Sequence, residues 1–446
     1  MKRTAFQWLV ISSLLLNAAL AEGRTRPRYG GTLRIEVSVA LWDRNGIARS
    51  LTTETLTRVG ARGQIEPWLA VKWESQNHDR RWVFALRPGV SFHDGTPFNA
   101  STVSQMLNGC AACPWKSVQA SGDNLVFELE SPSPLFPAQM AMQQFGVSKP
   151  DTNGAPIGTG PMRVAEMTPR SATLQAFENY WNGRIFVDRI EVTAGRTVRD
   201  QWLDLGVGKT DVADIPAEQL RRAQQDHLRP LLSRNDELIA IVMNASSATM
   251  QSTELRQAIA ESVDRISLLN FIFQRQGEVS AGLLPNWLSG YASLFPANQN
   301  LAHARQLKTQ VGTVPTLTFS YDASDPSLQL IAERIALSSR EAGITLRTVP
   351  APAHWDLTLV RVRLHSTNPS VALEDIVSTI GLEHKVPDDS TPEALYQRER
   401  DLVGSYHIVP LLYVPRGFAA TDRVHNWKLN GRGLPDFDEI WAEERK

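Results

Sequence analysis

The chain has 446 residues, 42% of them hydrophobic and 21% charged, with 46 basic residues against 47 acidic ones. That length exceeds one average domain, and the composition is that of folded globular lobes with ample core. The charge balance argues against a nucleic-acid surface.

Lys2 and Arg3 precede an apolar run from Ala5 to Leu20 that closes on Ala19-Leu20-Ala21. This pattern predicts a secretory signal peptide over residues 1–21, cleaved after Ala21. Gln7, Ser12, Ser13 and Asn17 interrupt the run, which argues against a membrane anchor. No Cys follows the run, so a lipid anchor is not expected.

Gly31-Thr-Leu-Arg-Ile-Glu-Val opens the first strand, and Thr53 to Val59 reads as a short helix or turn. Trp73 begins a hairpin that turns at Asn77-His78-Asp79 and returns through Arg81 to Arg87. A Gly- and Pro-dense loop from Pro88 hands over to a helix near Ser101, with Asn99 as N-cap. The two cysteines, Cys110 and Cys113, lie in Gly-Cys-Ala-Ala-Cys-Pro-Trp. In an oxidising compartment the expected state is a local disulfide. A thioredoxin-type role needs the first Cys at a helix start, and two thiols alone are half a zinc site. Further on, helical patterns at Glu254–Leu269 and Ser327–Ala342 alternate with strands at Leu238–Met243 and Leu317–Ser320, the mark of α/β lobes.

Several stretches resemble a known family in the same order. Ile65-Glu-Pro-Trp-Leu-Ala, the strand Trp82-Val-Phe-Ala-Leu-Arg-Pro-Gly-Val and Phe92-His-Asp-Gly-Thr-Pro-Phe resemble the N-terminal signature of extracellular solute-binding proteins of family 5. Ile157-Gly-Thr-Gly-Pro-Met-Arg, Asn179-Tyr-Trp-Asn-Gly and Glu254-Leu-Arg-Gln-Ala-Ile-Ala-Glu-Ser-Val-Asp-Arg are similar to its later segments. The family contains dipeptide-, oligopeptide- and nickel-binding receptors of ABC importers. The resemblance implies an α/β, two-lobed periplasmic binding protein fold with mixed sheets and a hinge of two crossing strands, placed near Glu237–Asn244 and Ile408–Val414. It implies lobe I over 22–240 with an inserted subdomain at about 52–155, a shortened lobe II over 241–407, and a return to lobe I over 408–446. It also implies a monomeric periplasmic protein without cofactor or resident metal, which takes a small solute or short peptide to an ABC permease at the inner membrane. A secreted sensor or scaffold of the same fold is the alternative.

Enzyme signatures do not occur: there is no Gly-x-Ser-x-Gly and no His-Glu-x-x-His, and Gly208-Lys209-Thr210 lacks the earlier Gly of a phosphate loop, which is Leu203 here. His93-Asp94, between turn-forming residues, reads as a turn device. The stretch Trp355 to Pro369 alternates with period two. Val360, Val362 and Leu364 share one face, while Leu357, Leu359, Arg361, Arg363 and His365 share the other. In peptide-binding members an Asp that meets the ligand amine stands four residues before a Pro; here that position is His365, ahead of Pro369. Three readings of the basic row stay open: a solvated face, a cleft wall suited to an anionic or neutral solute, or internal pairing with Glu374 or Asp375. Resemblance adds Trp42 and Asp43 after the first strand, and Tyr413 and Arg416 after the second crossing, as candidate ligand contacts.

Overall fold

A computed structural model describes residues 27–42, 46–60, 62–110, 113–382 and 391–443. The expected signal peptide and Asp43 lie outside the described residues.

One mixed sheet of eleven strands runs through the whole molecule. At one end Met162–Met167, Ser171–Ala176, Arg189–Thr193, Thr32–Glu36 and Val212–Ile215 lie side by side, the last three parallel. At the other end Leu357–Arg363, Leu317–Tyr321 and Leu346–Pro350 are mutually parallel. Two long antiparallel strands join these halves: Arg229–Met243 and the return strand Ile408–Ala420. The return strand pairs with Val212–Ile215 at one end and runs along Arg229–Met243 for most of its length, while Arg229–Met243 carries Leu357–Arg363 on its other edge. These are the two crossing strands that the resemblance implies; the first begins eight residues before Glu237 and the second runs six residues past Val414, and every residue of the return strand is buried.

Each half has its own apolar core, as two lobes require. In lobe I, Leu33, Ile35, Leu174, Ile190 and Val192 pack beneath the sheet. In lobe II, Ile239, Ile241, Phe319, Ile331 and Leu359 pack under the helices. The helix expected over Glu254–Leu269 is two helices, Thr253–Ser262 and Arg265–Phe271. The break falls at Asp264, whose side chain accepts from the Ser267 N–H and caps the second helix, the competition with backbone bonding that makes Asp a helix starter.

A separate four-stranded antiparallel sheet, in the order Ala70–Gln76, Arg81–Leu86, Asn124–Glu128, Ser117–Ser121, forms the core of a subdomain attached to lobe I. Its interior is aromatic, with Trp82, Phe84, Phe92, Trp115, Phe127 and Phe136 in one cluster. The hairpin turns where the sequence indicates, with Asn77, His78 and Asp79 all in the left-handed region. Asn99 caps the helix Ala100–Asn108 by accepting from the Thr102 N–H. Cys110 and Cys113 are joined by a disulfide just after that helix. The stretch Thr53–Val59, read above as a short helix or turn, instead follows the helix Ile47–Thr52 and holds a strand, Thr57–Val59, paired with Ile65–Pro67. The β-branched Thr57 and Val59 and this partner strand favour the extended form.

Candidate ligand cleft

Between the lobes lies a cavity of about 700 Å³. Lobe I contributes Glu54, Arg58, Trp68, Tyr180 and the segment Lys428–Asp438; lobe II contributes Trp287 and Leu364–Thr367; Leu232–Arg234 and Asp236 of the crossing strand lie between them. The volume falls within the range of small-molecule sites. The far rim is already joined, because the Thr367 hydroxyl donates to the Gly63 carbonyl at 2.6 Å across the lobes. Val371 of the following helix packs into the aromatic cluster of the lobe I subdomain.

Glu54 is the organising residue of the lobe I wall. One carboxylate oxygen accepts from the Trp68 indole at 2.8 Å and the Tyr180 hydroxyl at 2.8 Å. The other accepts from the Thr159 hydroxyl at 2.7 Å and the Trp181 indole at 3.0 Å. Burial pushes its pKa up to about 7 although all four donors oppose that rise. Three of the stretches quoted above thus meet at one side chain: Pro67-Trp68-Leu69, Gly158-Thr159-Gly160-Pro161 and Asn179-Tyr180-Trp181. The two glycines have a steric reason. A Cβ at Gly158 or Gly160 would collide with the backbone carbonyls of Thr52 and Leu51, so only glycine lets this turn lie against the segment that carries Glu54. His93 braces the same turn, its ring accepting from the Gly158 N–H at 3.2 Å and meeting the Gly160 carbonyl at 3.0 Å. Burial lowers the His93 pKa to about 4. Asp94 accepts from the Thr96 N–H and hydroxyl and pairs with Lys149 at 2.7 Å.

The residues singled out in the sequence divide between the cleft and its supports. His365 lines the cavity, and its Nδ1 meets Asp375 at 2.5 Å. Arg361 and Arg363 lie one layer back. Register sets Arg363 directly opposite Glu237 on the crossing strand, and Arg363 binds one Glu237 oxygen through Nε at 3.1 Å and Nη2 at 2.9 Å. Arg361 reaches the other Glu237 oxygen at 3.1 Å, Asp325 at 2.8 Å and Ser327 at 2.7 Å. Of the acidic residues expected as internal partners, Glu374 pairs with Arg398 and Asp375 with His365. Burial works to raise the Glu237 pKa, yet Arg363, Arg361 and Arg416 together hold it down to about 2. Arg416 binds Asp236 at 3.1 Å and the Arg432 carbonyl at 2.8 Å. Tyr413 is fully buried and donates to the Leu283 carbonyl, while the Trp42 indole meets the Met167 sulfur at 3.1 Å beside the lobe I core.

The reasoning from sequence did not find Glu54, Arg58, Trp287 or Arg432. The partners of Glu54, Trp287 and Arg432 are distant along the chain, and Arg58, whose partners Glu66 and Trp68 are near, carries no local signature of a site. Among the described residues no group of three or more His, Cys, Asp or Glu side chains is placed to hold a metal ion.

Comparison with known proteins places this geometry in context. Residues 64–373, more than half of the chain, match the bacterial extracellular solute-binding proteins, family 5, middle region. The chain is 21% identical over 328 residues to the nickel-binding protein NikA of Staphylococcus aureus, an alignment that covers 69% of this chain and 66% of that protein. It is 26% identical over 347 residues to heme-binding protein A of Haemophilus influenzae, covering 65% of this chain and 62% of that protein. The chain thus spans less than two thirds of these relatives' own length. The solved structure of the ABC transporter-associated periplasmic binding protein DppA from Helicobacter pylori, in complex with peptide STSA, superposes with a TM-score of 0.80 at 17% identity and covers 94% of this chain and 99% of that one. The mixed α/β, two-lobed fold is that of such periplasmic binding proteins, and the chain belongs to the bacterial extracellular solute-binding proteins, family 5.

Proposed function

We propose that this protein receives a small solute or short peptide between its two lobes in the periplasm, without chemical turnover, and delivers it to an ABC permease of the inner membrane. The single observation that carries this reading is the interlobe cavity of about 700 Å³, which draws walls from both lobes and is bridged by Thr367 and Gly63. A site shared between two bodies on crossing strands gains its ligand contacts only when they approach, so binding energy favours the closed form. The names of the relatives, a nickel-binding protein and a heme-binding protein, together with a neighbour bound to a peptide, support a receptor role for the family while spanning very different solutes.

The test is native mass spectrometry of protein recovered from the periplasm, followed by small-angle scattering of the stripped and reloaded forms. A stoichiometric small ligand whose return shrinks the radius of gyration is the expected result. A chain that carries no ligand, and whose scattering is unchanged by a periplasmic extract, would overturn the transport reading.

A further inference from the structure

We propose that the lobe I wall of the cleft contains an oxyanion subsite, in which Arg432 and Arg58 receive the carboxylate or phosphate group of the solute. The inference rests on the cleft being the ligand site and names the chemistry that it selects.

Arg432 is a half-buried guanidinium with only neutral acceptors among the described residues: the Gln143 side-chain oxygen, the Ala141 carbonyl at 3.0 Å and the Thr55 hydroxyl at 3.3 Å. None of them offsets its charge. Burial, with the like charge of Arg58 nearby, lowers its pKa to about 10, and only Glu54 opposes that fall. A desolvated cation held by neutral oxygens is a group that still lacks a counter-charge. Glu54 acts on it only through space, since its oxygens accept from four uncharged donors and no ion pair joins it to Arg432 among the described residues.

Arg58 supports the same reading. Its Nε binds Glu66 at 3.1 Å, and its guanidinium carbon sits over the Trp68 ring, 4.0 Å from the centroid. The ring contact and the Glu66 ion pair hold the guanidinium in place, and its two Nη groups carry no protein hydrogen bond among the described residues. Trp68 in turn is held by Glu54, so the carboxylate positions the surface on which Arg58 rests. A planar oxyanion that meets preoriented guanidinium donors forms charge-assisted hydrogen bonds, the strongest polar contacts available to a small ligand.

The experiment measures calorimetric affinity of the full mature chain for matched pairs: small carboxylic acids and their amides, and phosphate monoesters and their parent alcohols. The charged member of a pair should bind at least about tenfold more tightly than the neutral one. Arg432→Gln should remove that preference, and Arg58→Gln, which removes the other guanidinium, should weaken it several-fold and so serves if the Arg432 variant folds poorly. Whether carboxylates or phosphates show the effect identifies the head group. Equal binding of charged and neutral members, or an unchanged preference in both variants, refutes the subsite while leaving the cleft intact. Binding of tested solutes with stoichiometry and affinity unaltered by Trp287→Ala and Thr367→Val, residues of the opposite wall, would instead refute the cleft reading itself.

Discussion

At the scale of single residues, Glu54 shows what a buried carboxylate can do that its nearest isostere cannot. Each of its oxygens faces one indole N–H, which can only donate, and one hydroxyl, which can turn round and accept. A protonated Glu54 fits, because its proton can go to Thr159 or Tyr180 while both oxygens still accept from the indoles. A Gln does not fit, since its amide would set an N–H against Trp68 or Trp181. Glu54→Gln should therefore destabilise the protein by about 1–3 kcal/mol, read by chemical denaturation, because a buried donor is left unmet. The same residue shapes the response to pH. Glu54 and Glu399, both raised by burial to about 7, bind protons in the folded state that the unfolded chain has released. Their contribution is fully present below the ordinary carboxyl range and is lost as pH rises through about 7. Glu237, held down to about 2, acts in the opposite sense and loses its contribution as pH falls from the ordinary carboxyl range toward that value. Thermal melts should accordingly peak in the mildly acid range, and a melting temperature that climbs steadily from about pH 5 to pH 8 would count against these assignments. Little of this was legible in the sequence. The partners of Glu54 lie 14, 105, 126 and 127 positions away, and no local spacing encodes such a meeting. His365 was singled out only because the resemblance sets an Asp of peptide-binding members four residues before a Pro; it lines the cavity just beyond the end of the strand Leu357–Arg363.

Among the elements, the turn Gly158–Pro161 connects sequence to site most directly. It lies against the backbone of Leu51 and Thr52, is braced by His93, and hands Thr159 to Glu54 and Pro161 to the cavity. Gly160→Ala should cost about 1–3 kcal/mol through overpacking against the Leu51 carbonyl, and it should also weaken ligand binding by shifting Thr159; the two are read by denaturation and calorimetry on the same sample. The strand Leu357–Arg363 teaches the complementary lesson. Its alternation gave the two faces correctly, with Val360 and Val362 against one core and Leu357 and Leu359 in the other. What alternation could not give was the partner of the basic face, because Glu237 belongs to a strand more than a hundred residues earlier and only register sets it opposite Arg363. Beyond Arg363 the ladder stops, the Leu364 N–H turns to the Asp236 carbonyl, and His365 departs from the row toward Asp375.

For the whole molecule, the contact between Thr367 and Gly63 is the simplest measure of closure. It joins the lobes at the rim by one hydrogen bond, worth about 0.5–1.5 kcal/mol. Thr367→Val should lower ligand affinity about two- to tenfold and shift the scattering of the loaded protein toward the open form, without loss of thermal stability. The crossing strands set how such opening proceeds. Arg229–Met243 and the return strand stay hydrogen-bonded along their length, but their register shifts between Leu232 and Asn235 and again between Asn235 and Glu237. Those irregularities stand at the floor of the cleft, next to the Arg and Glu network that clamps the strands above them. An opening motion is therefore expected to fall as added twist on Leu232–Glu237, where the ladder is interrupted, and to leave the paired strands on either side intact, as a leaf spring bends rather than as a door hinge turns.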